Sequence, residues 1–317
     1  MLDGFMSDRL PVEALDVAAP PEPTVFHEAW LLDAASDGAV EFAEVLDQGR
    51  VVGRLPFIRR RSLGVTLITQ PRLIHLLGPV IDDGRGSSVT RALKRNRILS
   101  ELLGKLPAAS GFSQKIYGGL SDVVAFQEAG YEIKVELTYN VQPAPDAQIW
   151  KGMRDKTRNV IRRAQEQLEI RIIENHSEFA DLYYENLSDR KQRSYYPPHQ
   201  VNAVCREAMS RGRGQALGAY DASGQLCAAI FMLKDEHVTY YYMSTRRQEA
   251  HNGAISLLIW TGIRNAAAQR QTFDFDGFSS NGNSLFYAGF GGQIAARYIA
   301  LRSSPFFRMC RLVGDLV

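Results

Sequence analysis

Between Gln215 and Ser244 three strand-forming runs are separated by turns so short that the strands can only pair antiparallel with one another. Gln215–Tyr220 ends at Asp221-Ala222-Ser223-Gly224, Leu226–Leu233 ends at Lys234-Asp235-Glu236, and Val238–Ser244 completes the meander. Asn252-Gly253 then opens a helical pattern to about Gln269, and Thr272–Asp276 returns as a strand.

Upstream, Phe26, Trp30 and Ala34 recur at helical spacing. Val40–Leu46 and Val51–Ile58 read as a hairpin around Asp47-Gln48-Gly49-Arg50, and a third strand is expected within Arg72–Leu77. A helix over Ser87–Leu106, a strand near Ser113–Tyr117, a short helix capped by Ser121 and an alternating strand at Glu132–Val141 follow. Pro143-Ala144-Pro145 marks a boundary. Beyond it, Met153, Thr157, Val160, Ile161, Ala164 and Leu168 form one helical stripe, and a strand at Ile170–Ile173 precedes helices at Ser177–Lys191 and His199–Arg211. Ile294–Leu301 is the last strand expected. Both halves therefore run helix, hairpin, third strand, helix, strand, which points to an architectural duplication. The expected class is α/β (α+β), with a flexible segment at 1–23 and two domains at 24–142 and 146–317, each a mixed, mainly antiparallel sheet flanked by helices.

Composition bears on what such a chain can bind. At 317 residues, with 45% hydrophobic and 23% charged residues, it has the balance of a protein with a sizeable core. Cys205, Cys227 and Cys310 lie far apart, show no metal-ligand spacing and read as reduced thiols, so no metal site is expected. No apolar run approaches the roughly 20 residues that span a bilayer, and the acidic, Pro/Ala-rich start does not resemble a signal peptide, so a soluble cytoplasmic protein is expected. The net charge of +2 is uneven: residues 1–50 hold eleven acids and two bases, leaving +11 for the rest. The bases cluster at Arg59-Arg60-Arg61, at Arg91/Lys94/Arg95/Arg97 and between Lys151 and Arg163, which suits a phosphate-bearing ligand or else marks solvated faces.

Three groups carry candidate chemistry. At the turn Arg246–Ala254 a helix N-terminus with its free amides and positive dipole end can grip a pyrophosphate. Asn252 is a fitting N-cap, Gly253 and Ala254 admit close approach, and Arg247 adds charge; the competing reading is an ordinary capped helix. Gly84-Arg85-Gly86-Ser87-Ser88 is a second pattern of this kind. On the Thr272–Asp276 strand, alternation sets Asp274 and Asp276 on one face and Phe273 and Phe275 on the other; the competing role for Asp276 is to cap the next turn. Lys151, Arg154, Arg158 and Arg162 form a line on a helix that suits the phosphates of a nucleotide-linked acceptor or a tRNA.

These motifs resemble a known family. The meander plus helix is similar to the core of the GNAT N-acyltransferases. The basic stretch Asp155–Ala164, the run Phe273-Asp274-Phe275-Asp276-Gly277, and Asn281-Gly282 followed by Phe286-Tyr287-Ala288-Gly289-Phe290-Gly291-Gly292 resemble FemAB-like proteins. Trp30 and Val52-Gly53-Arg54-Leu55-Pro56 fit the same family, and the likeness covers about residues 24–303. It implies two tandem GNAT-like domains with the active site in the second. It also implies transfer of an acyl group from acyl-CoA, or an aminoacyl group from aminoacyl-tRNA, to an amine such as a cell-envelope precursor, with no tightly bound cofactor. In that scheme Asp276 orients or deprotonates the amine and Tyr287 protonates the leaving group. Arg247, Asn252, Gly253 and Ala254 hold donor phosphates, while Arg154, Arg158, Tyr196 and Tyr242 meet the acceptor. The donor loop lacks the family's glycine at the right offset, and Tyr287 stands where many members have lysine. Those departures motivate an alternative, a degenerate GNAT-fold module that binds a phosphate-bearing ligand or RNA.

Overall fold

The computed structural model describes residues 23–62, 64–278 and 281–304. Cys310 and all but Pro23 of the expected lead-in 1–23 lie outside them.

The first half opens with a 3-10 turn at Val25–His27 and helix α1 (Ala29–Ala34). The expected hairpin forms from β1 (Glu41–Asp47) and β2 (Arg50–Ser62); Gln48 and Gly49 at φ 51° and 79° close it in the twist that matches two-residue hairpins. β3 (Val65–Thr69), β4 (Val80–Ile81), α2 (Ser88–Gly104), β5 (Gly111–Ile116), α3 (Val124–Glu128) and β6 (Glu132–Val141) complete it. Ser87 caps α2 by accepting from the Thr90 amide.

The second half contains α4 (Asp146–Gly152), α5 (Asp155–Gln165), β7 (Glu169–Ile173), α6 (His176–Asp189) and α7 (Pro198–Ser210). The meander follows as β8 (Gly214–Tyr220), β9 (Leu226–Lys234) and β10 (Val238–Arg246), then α8 (Ala254–Ala268), β11 (Thr272–Asp274), α9 (Asn281–Ala288) and β12 (Gln293–Ser303). Every residue of β9 from Cys227 to Leu233 is buried, because helices cover both faces of the meander.

Three local expectations change. Arg72–Leu77 is a loop, and the third strand is β3, which pairs with β2 through Ile58↔Thr69 to Ser62↔Val65. The loop mimics a strand because Leu73, Ile74, Leu76 and Leu77 are all buried. The basic stripe is split into α4 and α5, with the break at Met153-Arg154 in extended backbone. β11 ends at Asp274, since Asp276 and Gly277 turn away at φ 60° and 87°. Tyr287 lies on helix α9.

The strands form one sheet in the order β1-β2-β3-β5-β12-β6-β11-β10-β9-β8-β7, with β4 beside β2. The last strand, β12, sits between β5 and β6, antiparallel to both. β6 meets β11 over only Phe273↔Val141 and Asp274↔Asn140, a short seam beside the long pairings by which β12 is built into the first half's sheet. Three cores flank the sheet. One packs α1, α6 and α7 on the meander, one packs α4, α5 and α8 on its other face, and one lies under α2 and α3.

His27 ties the chain's first turn to the loop that carries Arg72–Leu77. Its Nδ1 accepts from the Thr24 hydroxyl at 2.8 Å, and its Nε2 faces the Gly78 carbonyl at 3.3 Å. Burial pushes its pKa down to about 4 against the opposing carbonyl bond. Because the unfolded chain binds this proton more readily, stability is full above pH 6.5 and falls as pH drops towards 4. The expected loss is about 3 kcal/mol. Urea titrations across this range check it: His27→Gln should flatten the slope between pH 6.5 and 4.5.

Candidate functional site

The site begins where two neighbouring strands part. β10 and β11 are parallel and paired only through Val238↔Thr272, Thr239↔Phe273 and Tyr240↔Asp274. Beyond that, β10 continues to Arg246 while the segment after β11 turns off at Asp276, so the β10 edge from Tyr241 onward has no strand on that side among the described residues. A register shift against β9 between Tyr241 and Met243 bends β10 at the same place. The opening is a cavity of about 610 Å³ lined from both halves, by Arg60, Arg72, His75 and Glu136 of the first and by Tyr196, Tyr241–Ser244, Asp276 and Tyr287 of the second.

At its floor lies a buried ionic cluster. Arg297, on β12 and 3% exposed, places Nη2 2.5 Å from Asp274 Oδ2 and Nη1 3.1 Å from Asp276 Oδ1. Asp274 Oδ1 also accepts from the Thr138 hydroxyl at 2.8 Å and from the Asp276 amide at 2.7 Å. The second oxygen of Asp276 receives His75 Nδ1 at 2.5 Å. Burial pushes the Asp276 carboxyl up, but His75 and Arg297 outweigh it and hold the group below its usual range. For Asp274 burial wins over Arg297, and its carboxyl is raised. Asp276 is therefore a fixed anion with both oxygens engaged.

His75 was not foreseen from the sequence. Its ring is held against Phe26 and Tyr242, at centroid distances of 6.0 and 4.5 Å, and Tyr242 donates its hydroxyl to the Leu73 carbonyl at 2.6 Å. With Nδ1 bonded to Asp276, Nε2 is the acceptor in the neutral ring, and it has no partner. The one signal in the sequence is a lone histidine inside Leu73-Ile74-His75-Leu76-Leu77. Tyr287 lines the same cavity, stacked on Phe275 at 4.5 Å, and burial followed by the Asp276 charge raises its pKa to about 12.

The remaining expected residues are divided between this cavity and other places. Tyr196 and Tyr242 line the main cavity. Arg154 and Asn252 line a separate one of about 480 Å³ with Lys156, Thr157 and Ser256. Arg158 instead bonds the carbonyls of Trp150 and Lys151 and pairs with Asp155. Arg247 points to the Leu226 carbonyl and Glu185.

At the α8 N-terminus the cap is Gly253 rather than Asn252. The Gly253 amide donates to His251 Nδ1 at 3.0 Å, and the Ala254 amide to the His251 carbonyl. A Cβ on Gly253 would sit 2.8 Å from the Val160 carbonyl oxygen, so the small residue serves the packing of α5 on α8. Helix geometry leaves the next amides, of Ile255 and Ser256, free. Ile255 lines a cavity of about 270 Å³ with Arg190 and Ser244–Arg246. Ser244 borders both this cavity and the main one, so the unpaired β10 edge connects the helix terminus with His75.

Among known proteins, residues 151–283 match the family model described as Acetyltransferase (GNAT) domain. No curated protein matches. Among solved structures, FemX superposes with a TM-score of 0.64 at 10% identity, over 89% of this chain and 93% of that one. The C-terminal domain of a putative lysylphosphatidylglycerol synthetase from Agrobacterium fabrum gives 0.57 at 12% identity, over 91% and 92%. L-PGS from Bacillus licheniformis gives 0.51 at 13%, over 86% of each chain.

Replacing Arg297 by Met would leave two buried carboxylates without their shared cation. Such a loss costs about 3–5 kcal/mol, read as a lower urea midpoint with an unchanged slope. A loss below about 1 kcal/mol would mean the cluster is not held as an ion pair.

Proposed function

We propose that the chain is a tandem GNAT-fold acyltransferase of the FemAB-like kind, which moves an acyl or aminoacyl group to a primary amine with His75 as the base. The observation that carries this reading is the buried, unpartnered Nε2 of His75, a residue that lines the cavity beside the free edge of β10 while Asp276 holds its Nδ1.

In this reading the two halves, residues 24–142 and 146–317, divide the work. The donor lies along Ser244–Arg246 towards the first turn of α8, where the free amides and Arg190 meet its phosphates. Its carbonyl reaches the main cavity beside Met243 and Ser244, where an unpaired strand edge supplies backbone N–H groups of the kind that stabilise an oxyanion. The acceptor nitrogen attacks that carbonyl carbon, a C–N bond forms, and His75 Nε2 takes the amine proton. As the bond from the carbonyl carbon to the leaving sulfur or oxygen breaks, Tyr287 gives its phenolic proton to the departing atom. Its high pKa keeps that proton in place until then. Asp276 positions His75: its fixed charge selects the tautomer with hydrogen on Nδ1 and stabilises the imidazolium.

The match to an acetyltransferase domain supports acyl-CoA as donor. The resemblance to FemAB-like proteins keeps aminoacyl-tRNA beside it, and a similar structure named for lysylphosphatidylglycerol synthesis suits a cell-envelope acceptor. Calorimetry with acetyl-CoA and gel shift with aminoacyl-tRNA distinguish the donors.

With the donor that binds, His75→Ala should lower kcat by about 10²–10⁴ and recover partly with added imidazole. Asp276→Asn should lower kcat more than it raises KM. Full turnover in both His75→Ala and Tyr287→Phe would overturn the assignment.

A further inference from the structure

The main cavity is unusual in its own polar atoms. Among the described residues six buried side-chain polar atoms lack a partner, and three of them, Thr69 Oγ1, His75 Nε2 and Glu136 Oε2, belong to residues lining this cavity. Glu136 Oε1 is paired with Lys115 Nζ at 2.6 Å, which satisfies one oxygen and leaves the other with a full claim on a donor. A buried acceptor left without a donor costs about 1–3 kcal/mol. Two such acceptors on residues lining one cavity suit a group with at least two N–H bonds.

Another part of the lining is cationic. Arg60 on β2 and Arg72 after Pro71 both line the cavity, and neither has a carboxylate at ion-pair distance among the described residues. Arg72 is held by the Tyr195 carbonyl at 3.1 Å and lies over the Tyr195 ring at 4.6 Å. Burial, and after it the charge of Arg72, pulls the Arg60 guanidinium below its usual range, so the two cations feel each other. Like charges kept together in a half-buried cleft are unfavourable until an anion joins them. The other basic residue of the lining, Lys115, is neutralised by Glu136.

We propose that this cavity selects an acceptor carrying both a primary amine and an anionic group, with the amine against His75 Nε2 and Glu136 Oε2 and the anion against Arg60 and Arg72. The choice of acceptor, as opposed to any ligand, rests on the transferase reading above. All five residues, Arg60, Thr69, Arg72, His75 and Glu136, come from the first half, so that half becomes the acceptor-recognising part of the molecule. A carboxylate and a phosphate both satisfy two guanidinium forks, and the chemistry they share is what the cleft selects.

The test is equilibrium binding to the full chain without donor, by calorimetry or ligand-observed NMR. The probes are 6-aminohexanoate, hexylamine, hexanoate and phosphoethanolamine. At low salt, 6-aminohexanoate or phosphoethanolamine should bind at least tenfold more tightly than hexylamine or hexanoate; the tighter of the two identifies the anion as carboxylate or phosphate. Arg60→Gln and Arg72→Gln should each remove at least fivefold of that preference and leave hexylamine unchanged. Glu136→Gln should weaken hexylamine and spare hexanoate. Arg264→Gln, which loses an exposed pair with Asp146, is the control and should change nothing. Equal binding of all four probes, or a preference untouched in both arginine variants, overturns the inference. Because no donor is present, a chain that keeps the preference yet never transfers sinks the transferase reading alone, and a chain that transfers without the preference sinks this inference alone.

Discussion

A single buried guanidinium holds the working part of this molecule together. Arg297 comes from the last described strand, which lies inside the first half's sheet, and both of its partners come from the end of β11 in the second half. Without it, Asp274 and Asp276 would be two adjacent buried anions, and the left-handed turn at Asp276 would lose its anchor. With it, the turn is fixed, Asp276 stays charged, and His75 from the first half finds its partner across the seam. The cluster therefore serves stability and positioning with the same atoms.

The cavity grows out of a failure of pairing. Parallel strands β10 and β11 share three register positions and then separate, because β11 turns away at Asp276 while the kink in β10 carries its edge elsewhere. Unpaired backbone in a buried place is costly, so it survives where something else comes to meet it. The concentration of unsatisfied side-chain atoms around the same opening points the same way. The second half supplies the free strand edge and Tyr287, while the first supplies His75, Glu136 and the two arginines.

The α8 terminus shows how a familiar pattern can be put to another use. Asn252-Gly253-Ala254 reads as an anion-binding turn, yet Gly253 is pressed against the Val160 carbonyl and its amide is taken by His251. The amides left without a helical partner are the next pair, beside the neighbouring end of β10. The basic line of α4 and α5 is likewise dispersed: Arg158 bonds the end of α4, Arg162 stacks over Trp150, and Arg154 faces a second cavity.

Local regularities were legible because they depend on near neighbours. The meander, the hairpin at Gln48-Gly49 and the strand Glu132–Val141 all follow from turn chemistry and from alternation within a few residues. Asp276, Tyr287, Tyr196 and Tyr242 were identifiable as residues of interest, and the structure gathers them in one cavity. Tertiary structure alone decided that β12 enters the first half's sheet, that Arg72–Leu77 is a buried loop, and that His75 meets Asp276 across 201 residues of chain. A buried loop and a buried strand share one hydrophobic pattern, and the energy that separates them comes from ion pairs and packing between segments far apart in sequence, which no local window contains.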